Sequence, residues 1–308
     1  MTPVSAAGAT REWYPYSAIV DRPPVELPGG AKVAAWFIAN VEHYEYLPRA
    51  NPFRDPWSSR PHPDVVNYAR RDYGNRVGLW RMLDLFDRYG VHPTVSLNAA
   101  VLDHFPEVAA ALAERRWDIM GHGVYNTRYA AGLDEDSERA MIADAVGTVR
   151  DRLDQTMTGW LGPSLTTTAN TPDLVAEAGM TYLADFLHDD EPCPLTVRSG
   201  SLMSMPYSLG INDSPVIGRV QHSAETFARL VTDQLDTLVD EGAKRAKVLA
   251  VCLHPYAMSA PSRQRYLERV VRYVTGHPDV WVADGAQLAG VYARAWNRTA
   301  AAEVPGDG

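Results

Sequence analysis

Cysteine is nearly missing from this chain, with only Cys193 and Cys252 among 308 residues. That excludes a disulfide framework and a cysteine-built zinc site. Basic residues are short as well: 29 Lys and Arg face 38 Asp and Glu, a net charge of −9. Nucleic acid and anionic membrane both call for a basic face, so neither is expected as a partner. No apolar run approaches the roughly 18 residues of a membrane span. Met1 to Thr10 has neither the basic stretch nor the apolar core of a secretory signal. The expected compartment is therefore the reducing cytoplasm. What is present, a 46% hydrophobic share with 22% charged residues, describes a globular protein with a substantial core.

The first 30 residues, with Pro23, Pro24, Pro28, Gly29 and Gly30, read as an extended arm. Residues 31–296 then alternate between short apolar runs and helical periodicity. Strands are expected at Lys32 to Ala39, at HPTVSL, at Trp117 to Met120, at Met157 to Leu161, at Met180 to Leu183, at Lys247 to Leu253 and at Val280 to Val282. Helices fall between them; Val77, Trp80, Leu83 and Phe86, for example, share one helical face ahead of Gly90. Seven β-then-α units without a composition shift imply a single α/β domain, a parallel sheet curled into a distorted (β/α)7 barrel. Asn51 to Pro63 is a long loop of Pro, Asp, Ser and Arg, a kind that is usually functional or mobile. Residues 297–308 are expected to be a flexible tail.

In such barrels, chemistry gathers at the C-terminal ends of the strands. The polar residues that follow each apolar run are Asn40, Glu42, His43 and Glu45, then His122 and Asn126, Trp160 with Pro163, Asp185 with Asp189 and Asp190, and His254. Two histidines and several carboxylates on one rim suit general acid–base hydrolysis or a single metal ion. Each has a plainer reading. A lone histidine is usually a hydrogen-bonded structural residue, and His43, His62, His104, His188, His222 and His277 are placed in that class. His122 and His254 stand apart because each directly follows an apolar run and precedes a turn residue, Gly123 or Pro255. Asp189 and Asp190 can equally be a solvated loop, and Trp160 a core residue. Cys252 lies inside an apolar run and reads as a buried small hydrophobe.

Together the peptides FIANVEHYE, MGHGVYNTR, TGWLGPS, YLADF and CLHPY, in this order and each at a strand end, resemble the five motifs of the polysaccharide-deacetylase (NodB homology) family over about residues 30–295. RPPVELPGGAKVAAW, HDDEP and SMPYSLGINDSP are similar to the branch containing deacetylase-type allantoinase and cyclic-imide hydrolases. The resemblance implies a hydrolase of carbon–nitrogen amide bonds, with Glu42, His122 and His254 as catalytic residues. Members with such an arm are often oligomeric, which leaves a homo-oligomer open.

Two departures bear on the chemistry. Metal-dependent members hold zinc or another divalent ion with an aspartate and two histidines and use a further aspartate as base. Asn40 and Glu42 stand at the acidic pair here, and Asn126 at the second histidine. Two mechanisms stay open. In one, Glu42 and His122 hold a divalent metal; in the other, which the altered donors favour, no metal takes part, Glu42 is the base and His254 the acid. A small soluble cyclic imide, ureide or related heterocycle is the expected substrate, with Asn40, Asn126, Trp160, Asp185, Asp190, Asn212 and Asp213 as binding residues. The alternatives are a metal-dependent N-deacetylase of an acetylated sugar or amine, and a degenerate binding protein without turnover.

Overall fold

The computed structural model describes residues 13–53 and 62–302, so the Arg54 to Pro61 part of the long loop lies outside the described residues. One curled sheet carries the chain. Its strands are β1 (Val33–Val41), β2 (Thr94–Leu97), β3 (Ile119–Gly121), β4 (Gly159–Trp160), β5 (Tyr182–Leu183), β6 (Cys193–Leu195), β7 (Leu202–Ser204), β8 (Lys247–Leu253) and β9 (Val280–Ala283). The order is β6-β7-β5-β4-β3-β2-β1-β8, all parallel except β6, and β9 pairs with the first half of β1. The seven expected strands are all present; β6 and β7 add two short ones. Between β7 and β8 the curl closes, among the described residues, through single contacts such as Cys252 N–H to the Ile211 carbonyl (3.2 Å) and Val248 N–H to that of Asp190 (3.3 Å).

Helices α1 (Val65–Tyr73), α2 (Leu79–Tyr89), α3 (Ala100–His104), α4 (Pro106–Arg115), α5 (Glu135–Leu153), α6 (Thr171–Glu177), α7 (Ala224–Gly242), α8 (Gln264–Thr275) and α9 (Gly285–Ala302) fill the connections. Local chemistry sets their ends. Asp134 and Ser223 cap α5 and α7 by accepting the N–H of the residue three positions on, and Gly90 ends α2 in the left-handed conformation that glycine adopts without cost. α9 continues to Ala302, past position 297 where a loose tail was expected, because its closing alanines are strong helix formers.

All nine residues of β1 are buried, which is why its sequence is nearly continuous in apolar side chains. They divide by parity. Val33, Ala35, Phe37, Ala39 and Val41 join the core beneath the outer helices; Ala34, Trp36 and Ile38 join the core inside the curl, with Met120, Leu161, Ala184, Ala250 and Cys252. Each large side chain so buried contributes roughly 1.5–3 kcal/mol. Asn40 and Glu42 extend the inward row of β1, His122 that of β3 and His254 that of β8. The inward row leads directly to the rim chemistry.

The described part of the arm is strapped down rather than loose. The Trp13 carbonyl accepts the Thr196 N–H, and the Arg22 guanidinium grips Asp189 at 2.9 and 2.6 Å.

Candidate active site

Glu42, His122 and His254 meet at one point. Glu42 Oε1 lies 3.5 Å from His122 Nε2 and 3.5 Å from His254 Nε2, with the three side chains only 5%, 3% and 6% exposed. Neighbours hold each in place. The Leu161 carbonyl can only accept, so His122 Nδ1, 2.9 Å away, carries the hydrogen and Nε2 is left to face Glu42. Asp213 accepts from His254 Nδ1 at 2.7 Å and also from the backbone N–H groups of His254 and Met258. Asn98 ties the strand ends together, accepting from His43 N–H at 2.9 Å and donating to the His122 carbonyl.

Two phenols converge on the other oxygen of Glu42. Oε2 accepts from Tyr44 at 2.7 Å and from Tyr256 at 3.2 Å, while the Glu42 carbonyl accepts from Asn75 at 2.8 Å. Arg71 of α1 roofs the group, its guanidinium 4.3 Å from the Tyr44 ring centre and 5.7 Å from that of Tyr256. Gly78 allows the helical layer this close: a Cβ there would sit 2.1 Å from the Pro255 carbonyl oxygen.

The electrostatics follow from burial and charge. Burial alone would raise the Glu42 pKa, but His254 and His122 hold it well below the usual carboxylate range. For His254, burial works to lower the pKa, and the Glu42 and Asp213 carboxylates outweigh it and push it up to about 9. Burial, then the Glu42 charge, raises Tyr44 and acts the same way on Tyr256, so both stay protonated and donate. At neutral pH the site is an ionised glutamate facing a charged imidazolium.

A cavity of about 430 Å³ lies beside this cluster, lined by His43, Tyr44, Tyr68, Asp72, His104 and Tyr125 among others. Tyr44 is common to the cavity and the Glu42 cluster. A larger cavity, about 760 Å³, sits under the arm around Tyr14, Arg22, His188 and Trp296, and none of the three reactive side chains lines it. The enclosed cluster of titrating groups marks the site; the larger hollow does not.

Residues 63–183 match the family described as polysaccharide deacetylase. A crystal structure of a probable polysaccharide deacetylase from Pseudomonas aeruginosa PAO1 superposes with a TM-score of 0.80 at 29% identity, covering 91% of this chain and 98% of that one. The chain carries a polysaccharide deacetylase domain. Puue allantoinase superposes at 0.77 with 26% identity over the same shares, matching the branch resemblance, and a Schizosaccharomyces pombe protein provisionally named polysaccharide deacetylase is 25% identical over 88% of this chain and 92% of its own. The protein is thus a deacetylase-family hydrolase of carbon–nitrogen amide bonds. No helix among the described residues is long and apolar enough to cross a membrane.

Within the deacetylase domain, the expected substrate-binding residues turn out to be occupied with the protein itself. Asn40 donates to the Leu253 carbonyl and accepts from Tyr207; Asn212 donates to the same Tyr207 oxygen and accepts from Ser214 N–H. Asp213 orients His254. Asn126 is engaged by Ser164 and Tyr44. Trp160 belongs to the helix-side core rather than a pocket wall, fully buried with its indole N–H unpartnered. Asp185 accepts the Gly162 N–H at 2.7 Å and so fixes the turn after β4; burial pushes its carboxyl up to about 7. Asp190 is exposed, near Lys247 (3.8 Å) at the start of β8, about 20 Å of strand away from His254 at its end. The carboxylate, the imidazoles and the phenols are the polar groups that meet around Glu42. Tyr44, Tyr256 and Arg71 escaped the sequence reading, although Tyr44 and Tyr256 each lie two residues beyond a named catalytic residue.

A divalent ion would need Glu42 with two neutral histidines or their equivalents. Asn126 fills the second histidine position but turns its amide N–H toward Tyr44, and no group of three His, Cys, Asp or Glu able to hold a metal occurs among the described residues. The donor set does not fit a metal ion, and the chemistry is derived from the side chains.

Proposed function

We propose that this deacetylase-family protein opens the C–N bond of a small cyclic imide, ureide or related ring by general acid–base catalysis. The observation that carries the proposal is the single Glu42 oxygen set 3.5 Å from two imidazole nitrogens. Ionised Glu42 takes a proton from water as the water oxygen attacks the amide carbonyl carbon. His122 Nε2 faces the same Glu42 oxygen and is placed to hydrogen-bond the same water. The nitrogen leaves as an amine rather than an anion because His254 Nε2 delivers its proton, while Asp213 steadies the imidazolium. One water is consumed; in a ring both products stay on one molecule, as a carboxylate and a freed amine or amide nitrogen.

Enclosure of the three side chains beneath Arg71 and the two phenols supports a small substrate over a polymer, which needs an open groove. The allantoinase among the structural neighbours supports the ring. The imide edge has no free Asn40, Asn212 or Asp190 to meet, so recognition is assigned to Tyr44, Tyr256 and the roof they share with Arg71.

The family description favours a second reading, a metal-dependent N-deacetylase of an acetylated sugar or amine. A screen of cyclic imides, hydantoins, ureides and N-acetyl sugars, with and without zinc, separates the two. The proposal expects turnover of a ring amide without added metal. Turnover of N-acetyl compounds only, and only with zinc, would install the second reading; no turnover while ring compounds raise the Tm would indicate a binding protein.

A further inference from the structure

The two oxygens of Glu42 have different neighbours, and the structure shows what separates them. The turn after β4 is strained at two non-glycine residues, Ser164 (φ 55°) and Leu165 (φ 57°). It is nonetheless over-determined. Asp185 accepts the Gly162 N–H, Thr166 donates to the Pro163 carbonyl at 2.7 Å, and the Ala130 N–H is bound by Thr166 Oγ1 at 3.0 Å. The turn thereby presents the Ser164 N–H to Asn126 Oδ1 at 2.9 Å.

A backbone N–H has no acceptor, so this contact settles which way the Asn126 amide faces. Its oxygen is committed to Ser164 and its NH2 group must meet the Tyr44 oxygen. Tyr44 then accepts from Asn126 and has a single hydrogen to give, which goes to Glu42 Oε2 at 2.7 Å. From the other side Tyr256, paired with Ser214 Oγ at 3.2 Å, reaches the same oxygen. Both phenols are aimed at Oε2, while Oε1 faces the two imidazoles.

We propose that Asn126 is a positioning residue: held by the strained Ser164 turn, it directs the Tyr44 proton onto Glu42 Oε2 and so reserves Oε1 for the attacking water. This rests on the reading of Glu42 as base. It differs from substrate binding by Asn126, since the amide oxygen is bound by Ser164 and the NH2 group donates to Tyr44.

The test is a double-mutant cycle of Asn126→Ala, Tyr44→Phe and the pair, measured as kcat and KM on whichever ring amide the wild-type enzyme turns over, with Glu42→Gln alongside. Each single change is expected to lower kcat about tenfold, the effect of one positioned hydrogen bond, with KM within about twofold. The pair should fall no further than the worse single variant. Losses that multiply to about a hundredfold, or a raised KM with kcat intact in Asn126→Ala, would overturn the proposal. Glu42→Gln at wild-type rate would instead defeat the acid–base reading, whatever the cycle gives. If Asn126→Ala does not fold, Asn126→Ser takes its place with the same expectation. Where no substrate is turned over, the same four proteins are compared by thermal unfolding: Tm losses that fail to add support the Asn126–Tyr44 bond, and strictly additive ones overturn it.

Discussion

The two ends of the inward rows carry two carboxylates with opposite uses. At the base of the curl, Asp118 takes hydrogen bonds from Thr94 Oγ1 (2.8 Å), the Tyr182 hydroxyl (2.8 Å) and Thr158 Oγ1, and Thr94 in turn accepts from Trp36 Nε1 (2.8 Å) and Gly285 N–H (2.7 Å). Both Asp118 oxygens are committed to hydroxyl groups, and no imidazole or cation is among these donors. At the rim, one Glu42 oxygen is equally committed, but the other faces two imidazoles at 3.5 Å, longer than the roughly 2.7–2.9 Å of a settled charge-assisted bond. A network with every lone pair spoken for holds a fold together. One with a single carboxylate oxygen held apart, next to a proton donor of raised pKa, is prepared for proton transfer.

That contrast can be broken from the rim downward. His254→Ala should lower kcat by about 10²–10⁴-fold and also lower Tm, since it removes the proton donor and leaves the buried Glu42 and Asp213 carboxylates without their shared partner; steady-state kinetics beside thermal unfolding checks both halves. Asp213→Asn should be nearly as damaging and should also shift the pH profile. His254 works protonated, so activity should fall as pH rises through about 9, and losing the Asp213 charge should bring that limb to lower pH. An unmoved limb would detach Asp213 from the chemistry. The same group fixes the sign of a stability effect. Its pKa rises from 6.5 to about 9 on folding, so its stabilisation is complete below about pH 6.5 and is lost as pH climbs through about 9.

At the base, the expectation reverses. Asp118→Ala should cost about 1–3 kcal/mol of stability, by leaving buried hydroxyls without their acceptor, and should leave kcat near the wild-type value. The smallest effect is expected from Asp190→Asn, an exposed residue 3.8 Å from Lys247: about 0–1 kcal/mol and no kinetic change. A large kinetic loss in either variant would erase the distinction between the two ends.

Much of this was legible in the sequence, for a physical reason. Strands buried on both faces stand out as apolar runs, and the first polar residues past them fall on the rim, which is how Glu42, His122 and His254 come forward as candidates. Parity was not legible: when both faces are apolar, nothing tells an inward side chain from an outward one, so Trp160 was placed in the pocket although it faces the helices. Asp190 misled because it follows β5 in sequence yet runs back to the start of β8. Asp213 was named, but its role depends on a contact with His254 41 residues away, which no local pattern encodes. Strands β6 and β7 were missed because neither lies in an apolar run: β6 contains Pro194, and β7 follows Ser201 and ends on Ser204.

In this scheme a desolvated Glu42 carboxylate drives hydrolysis, and replacing that one charge tries it most directly. Glu42→Gln preserves shape and keeps an oxygen for the phenols but removes the charge that His254 and His122 favour, so the variant should fold with a somewhat lowered Tm while ring-amide turnover drops at least about a hundredfold. Wild-type turnover in this variant, with the same products, would contradict it.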